Sequence, residues 1–250
     1  MSDSQSTVIL ETRGVSRYVG KNQDSVKAVD NITYSFRKGE IYNIIGPSGA
    51  GKSSYLRLLN RLDDPTEGEI EFRGRSHKSY PPTELRQKIG MIFQVPYLFP
   101  GTVMGNLEYC CPVKGRGNYE TGVLIDALGR AGLGTEFLER DVSGLSLGEQ
   151  QRVAVARVLV MAPEVLLLDE PTSSLDPTSA RKIEQLILSL SQDLELTAII
   201  VTHNPEQALH MGGETLLLVR GKLIESGCTE QVLRNPRSDL GRKYIDRELV

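Results

Sequence analysis

The sequence has no uninterrupted apolar run of the roughly 18 residues that a membrane-spanning helix needs, so no span is expected within it. Its first residues, Met1-Ser2-Asp3-Ser4-Gln5-Ser6, are polar and have neither the basic start nor the apolar core of a secretory signal. Both absences point to the cytoplasm. Cysteine is scarce. Cys110, Cys111 and Cys228 are an odd set without C-x-x-C spacing, which argues for reduced thiols and against a disulfide framework or a zinc site. Positive charge is not in excess: 29 Lys and Arg against 32 Asp and Glu leave a net charge of −3. A broad nucleic-acid-binding surface, and hence a nucleic-acid partner, is not expected. Internal repeats and low-complexity segments are also missing.

What remains is 39% hydrophobic and 24% charged residues over 250 positions, enough for one large globular domain or a domain with a small inserted lobe. Strand and helix patterns alternate along it. A strand starts at residues 8–10, and residues 32–36 alternate apolar and polar as a half-buried antiparallel strand should. A turn at Arg37-Lys38-Gly39-Glu40 leads into the apolar run 41–45; a hairpin strand at 69–72 ends by Gly74, and a buried strand at 89–93 leads to Gln94.

Between about residues 95 and 163 three helices are predicted, near 103–109, 122–131 and 148–161, separated by Gly- and Pro-containing loops. They read as an inserted helical lobe. The run Val165-Leu166-Leu167-Leu168 is too apolar for a sheet with one wet face. An amphipathic helix follows, with Ile183, Leu186, Ile187, Leu190 and Leu194 on one side and Asp176-Pro177 as cap and first turn. A buried strand at 198–201 and a hairpin turning at Arg220-Gly221 complete the pattern.

Residues 46–53 read Gly46-Pro47-Ser48-Gly49-Ala50-Gly51-Lys52-Ser53, a complete G-x-x-x-x-G-K-S loop between an apolar strand and a helix beginning near Ser54. Its glycines let the backbone wrap a polyphosphate with N–H groups turned inward, and the helix N-terminus adds partial positive charge. Lys52 is expected on the β- and γ-phosphates and the Ser53 hydroxyl on Mg²⁺. The motif predicts binding of a nucleoside triphosphate. A second motif is the apolar strand running into Asp169-Glu170. Beside a phosphate loop, Asp169 would hold Mg²⁺ and Glu170 would polarise the attacking water; alone, the pair is two solvated acids at a strand end.

Leu145-Ser146-Leu147-Gly148-Glu149-Gln150-Gln151-Arg152 stands about twenty residues before Asp169, at a helix start. Taken alone it is an ordinary capped helix. With the other two motifs, the chain resembles the nucleotide-binding domains of ATP-binding-cassette (ABC) proteins, whose signature segment is usually L-S-G-G-Q. Here Leu147 replaces the first glycine and Glu149 the glutamine, while Ser146 and Gly148 are kept for the phosphate contact.

The resemblance covers about residues 7 to 236. It implies an α/β fold, a P-loop NTPase core with a mixed sheet, an N-terminal antiparallel β subdomain and an inserted α-helical lobe over about 94–163, with 237–250 as a C-terminal helical tail. It also implies that Gln94 joins core to lobe and touches Mg²⁺ and water; the plain alternative is a polar strand terminus. Ser173-Ser174-Leu175-Asp176 matches the loop that crosses the dimer interface, although Asp176 also reads as a helix cap. His203 matches the switch histidine at the γ-phosphate, while His77 and His210 have no such support. Tyr18 is the candidate for stacking on adenine, with residues 21–25 as a loop insertion behind it; Tyr34 and Tyr42 compete but sit in strand patterns.

By the same resemblance, two chains would enclose two ATP, each between the phosphate loop and Ser54 of one protomer and Ser146, Gly148 and Glu149 of the other. Glu170, His203, Gln94 and Lys52 would carry catalysis, and Ser53, Gln94 and Asp169 the Mg²⁺. The homodimer would power a separate integral-membrane permease from the inner face of the membrane. The apolar loop 95–102 would receive the permease. The stretch from Gly90 to Asn106 is similar to stand-alone ATPases of phosphate-type importers or small metal or metabolite exporters. The alternative is a soluble non-transport ABC ATPase, for example of the iron–sulfur-assembly type. A phosphate-loop kinase leaves Leu145–Arg152 unexplained.

Overall fold

The computed structural model describes residues 7–20, 26–110 and 121–248. The expected insertion at 21–25 and Cys111 lie outside them.

Among the described residues, ten strands form two sheets. Strands β1 (Val8–Val19), β2 (Val26–Arg37), β4 (Glu67–Phe72) and β5 (Arg75–Ser76) make an antiparallel sheet in the order β2-β1-β4-β5. Strands β3 (Ile41–Ile45), β6 (Ile89–Ile92), β7 (Val165–Asp169), β8 (Thr197–Val201), β9 (Glu214–Val219) and β10 (Lys222–Cys228) make a second sheet in the order β10-β9-β3-β8-β7-β6. All its neighbours pair in parallel except β9 with β10. The register sets Ile44 beside Val201, Asp169 beside Val201, and Ile92 beside Leu168. The carboxyl ends of β3, β6, β7 and β8 therefore meet at one edge, where ligands bind in open α/β sheets.

The apolar strands have two dry faces. Val165 and Leu167 of β7, with Ile199 and Val201 of β8, join a core shared with the antiparallel sheet and helix α1 (Lys52–Leu59), through Leu10, Phe36, Tyr55 and Leu56. Leu166 and Leu168, with Ala198 and Ile200, face the opposite core. That second core takes residues from α3 (Val103–Tyr109), α4 (Thr121–Arg130), α5 (Leu147–Leu159) and α6 (Pro177–Leu194). Period-2 alternation at fully buried positions explains why β7 reads as a continuous apolar run.

Several elements differ from expectation. The first strand continues to Val19, because Glu11, Arg13 and Arg17 occupy a solvent face, where Arg13 pairs with Glu11 and Glu71, and Arg17 with Asp63 and the Asp64 carbonyl. The helices α2 (Pro82–Lys88), α7 (Pro205–Met211) and α8 (Thr229–Arg234) were not anticipated; each has seven residues or fewer, too short for a clear apolar period. Beyond residue 236, α9 (Asp239–Ile245) is capped by Ser238, whose Oγ accepts from the Gly241 N–H at 2.9 Å. Glu225 of β10 fastens this tail by accepting from the backbone N–H groups of Arg237 and Ser238. Tyr34 and Tyr42 are core aromatics, packed edge-on at 6.0 Å.

Candidate active site

The loop after β3 owes its shape to glycine at two points. Gly46 has φ 148° and Gly51 φ 95°. A Cβ at Gly46 would run into the Leu218 carbonyl, and one at Gly51 into the Ala28 carbonyl. The β9–β10 hairpin turns through Arg220 and Gly221, both at positive φ. It braces the loop: the Gly221 N–H donates to the Ala50 carbonyl at 2.9 Å. Helix α1 starts at Lys52 without a side-chain cap, leaving its first N–H groups turned toward the loop. The Lys52 ammonium donates to the Gly46 and Pro47 carbonyls at 2.8 and 2.9 Å. Burial lowers its pKa, an effect that Glu170 and Asp169 oppose. A cradle no side chain fills, a lysine and free helix N–H groups suit a polyphosphate.

The carboxylates arrive from β7. Asp169 Oδ1 accepts from the Ser53 hydroxyl at 2.8 Å across 116 residues of sequence. Burial raises the Asp169 pKa, with the Ser53 bond pulling the other way. A hydroxyl and a carboxylate side by side are hard-oxygen donors that fit Mg²⁺, which needs only one or two protein ligands when it arrives with phosphates. Among the described residues no cluster of three or more His, Cys, Asp or Glu has metal-holding geometry.

Glu170 follows with φ 46°, an uncommon backbone state for a residue with a Cβ. Its N–H donates to the Val201 carbonyl at 3.0 Å, and its carbonyl accepts from Ser173 N and Oγ at 3.2 and 3.1 Å. This turn aims its Oε2 at His203 Nδ1, 3.1 Å away at the end of β8. Ser48, Gly49, Ala50, Gly51, Lys52, Ser53, Ser54, Glu170 and His203 line one cavity with Ala28.

The remaining candidates stand apart from that cavity. Gln94 is exposed just beyond β6. Tyr18 is 38% exposed near the end of β1, with the Lys27 ammonium 5.4 Å from its ring centre. Ser146 caps α5 in a reciprocal box: its N–H and hydroxyl both donate to Glu149 Oε2, at 2.8 and 2.7 Å. These bonds hold the Glu149 carboxyl below the usual carboxylate range. Gly148 lies beside Ser179, whose Oγ is 3.3 Å from where a Cβ would sit. Asp176 caps α6, accepting from Thr178 N and Ser179 N at 3.0 Å each.

The sequence reading missed Ala28, Thr172, Thr202 and Gln207. A buried glutamine on the face of α7 that Ala208 and Met211 define is the one visible signal for that group.

A phosphate loop after β3, with an aspartate and a glutamate at the end of β7 one strand away, defines a nucleoside triphosphatase of the P-loop class. The sequence model of the ABC transporter family matches residues 29–173. The phosphate import ATP-binding protein PstB 2 of Ligilactobacillus salivarius (strain UCC118) is 39% identical over 251 residues, covering 95% of this chain and 97% of its own. Its namesake in Bacillus subtilis (strain 168) is 39% identical over 250 residues, with 95% and 91% covered. Among solved structures, the dimeric ATP-binding cassette MJ0796 in a post-hydrolysis state bound to ADP and Pi superposes with a TM-score of 0.79 at 31% identity, over 88% of this chain and 99% of that one. The cassette cbiO1 of Clostridium perfringens, part of the ABC transporter complex cbiONQ, gives 0.79 at 28% identity, over 96% and 99%. The chain belongs to the ABC transporter family, as an ATP-binding and ATP-hydrolysing subunit.

Proposed function

We propose that two copies of this chain close around two Mg-ATP and drive a separate membrane permease, with residues 7–236 as the ATPase domain and 94–163 as its inserted lobe. The observation that carries the catalytic reading is the Glu170–His203 pair at 3.1 Å on the rim of the phosphate loop. In this reading Lys52 exchanges its bonds to the Gly46 and Pro47 carbonyls for phosphate oxygens, and the N–H groups of residues 48–54 surround the polyphosphate. Glu170 takes the proton of the attacking water, held by His203, which also faces the γ-phosphate. Ser53 and Asp169, with Gln94, would hold Mg²⁺, which supplies charge neutralisation on the phosphates when bound. Tyr18 stacks on adenine. Ser146, Gly148 and Glu149 face the partner's nucleotide, and Asp176 the dimer seam. Phosphoryl transfer asks for this kind of positioning and charge stabilisation rather than covalent chemistry.

The permease reading draws on a second surface. Among the described residues no helix is long and apolar enough to cross a membrane. Val95 and Tyr97 are 65% and 71% exposed, and Pro96, Tyr97, Leu98 and Pro100 line a depression with Val142 and Gln150. Apolar side chains left wet in a loop suit an anchor pocket for a permease segment. The subunit would sit peripherally on the cytoplasmic face. Phosphate, the cargo in the curated relatives' names, is the first substrate to test.

The test uses the full chain with Glu170→Gln, loaded with ATP in its native host and recovered from detergent-solubilised membranes. A multi-spanning protein in stoichiometric amount is the expected outcome. A soluble partner alone, with ATPase activity intact in the unaltered chain, would overturn the permease reading in favour of a non-transport ABC ATPase.

A further inference from the structure

Glu170 and His203 come from different strands, and both lie where the sheet's hydrogen-bond ladder has ended. One backbone bond joins their segments, from the Glu170 N–H to the Val201 carbonyl at 3.0 Å. A second connection lies further out and runs through a side chain. Gln207 of α7 is 6% exposed and reaches back between the two segments. The hydroxyl of Thr202, the residue before His203, donates to Gln207 Oε1 at 2.6 Å. Gln207 Nε2 donates to the hydroxyl of Thr172, two residues beyond Glu170, at 2.8 Å.

The amide orientation follows from the partners around it. The Glu184 carboxylate accepts from the Gln207 side chain, which turns Nε2 toward Glu184 and Thr172 and leaves Oε1 to accept from Thr202, whose Oγ1 in turn accepts from the Asn204 N–H at 3.0 Å. A planar amide with both ends committed sets the separation of the two threonines. The pair Glu170 and His203 is thus bracketed by the Val201 carbonyl on one side and the Gln207 amide on the other. Thr172, Thr202 and Gln207 line the same cavity of about 460 Å³ as Glu170 and His203.

We propose that Gln207 is a positioning residue for hydrolysis: its amide holds Glu170 and His203 in register and governs the rate of the chemical step rather than the affinity for nucleotide. The inference rests on the catalytic roles proposed for those two residues. Gln207 is not among the residues that line the cavity of the phosphate loop, so ATP binding has no direct dependence on it. Displacement of a catalytic group by about 1 Å costs up to about 100-fold in rate, which makes a rigid tie at this point consequential.

The experiment measures kcat for ATP hydrolysis and the ATP Kd of the full chain carrying Gln207→Met or Glu170→Gln. Gln207→Met keeps the shape and removes both bonds; kcat should fall about 10- to 100-fold with Kd within about twofold. Unchanged kcat in Gln207→Met would overturn the proposal. So would a joint loss of kcat, ATP affinity and thermal stability in Gln207→Met, the mark of a merely structural residue. If Gln207→Met does not fold, Thr172→Val cuts one of the two bonds at a half-buried site; it should lower kcat at unchanged Kd, and a normal kcat refutes the tie. Hydrolysis retained by Glu170→Gln would refute the role of Glu170 itself, whereas an inactive Glu170→Gln beside a fully active Gln207→Met refutes only the role of Gln207.

Discussion

His77 offers a quantitative test of the fold that is independent of the nucleotide site. Its ring is completely buried beyond β5, and neither ring nitrogen has a hydrogen-bond partner among the described residues. Burial, reinforced by the nearby Arg61 guanidinium, pushes its pKa down from 6.5 to about 4. The unfolded chain therefore binds a proton near pH 6.5 that the folded chain refuses until about pH 4. The stability present above pH 6.5 is lost as pH falls through this window, and the loss levels off below about 4. At about 1.4 kcal/mol per pH unit on the fully developed slope, the drop at pH 5 is ~2 kcal/mol relative to pH 7.5. Urea denaturation of the unaltered chain and of His77→Leu at both pH values isolates this contribution, because every other titrating group is shared. The leucine variant should lack ~2 kcal/mol of the acid-induced loss. Equal losses in the two proteins would refute the buried, neutral imidazole.

Two further substitutions probe the nucleotide machinery. Gly51→Ala places a Cβ against the Ala28 carbonyl at a residue whose φ is 95°; it should cost on the order of 1–3 kcal/mol and depress ATP affinity in a binding titration. Gly49→Ala, with open space around it, should cost less. Glu149→Ala removes the acceptor for the Ser146 N–H and hydroxyl and should destabilise the chain by ~1 kcal/mol in denaturant; no change in the midpoint would show that the cap contributes nothing.

Legibility of the chain divided along a physical line. The phosphate loop was readable because strand, turn and helix are contiguous and each glycine has a local job. The run at β7 was readable because no polar residue interrupts 165–168. What escaped was either short or non-local. Helix α7 spends its seven residues on a proline start, a buried glutamine and a few apolar contacts, leaving no period to detect. The tie from Gln207 to Thr172 spans 35 residues, and the closure of Ser53 on Asp169 spans 116. Such pairs depend on strand order, which no linear pattern encodes. The commitment of the Ser146 hydroxyl to Glu149 was likewise hidden: the residue types fit a capping box, but only geometry says that the bonds are made.

The two-sided burial of β7 has a mechanical consequence. Any sideways shift of this strand toward one core would open a gap in the other, and close-packed interiors resist that. Asp169 thus rides at the tip of a beam clamped above and below, while the loops beyond it have no such restraint. A working cycle built on this frame would flex in the segments past the strand ends and in the attached helices. The carboxylate at the end of β7 would serve as the stationary reference against which those parts move.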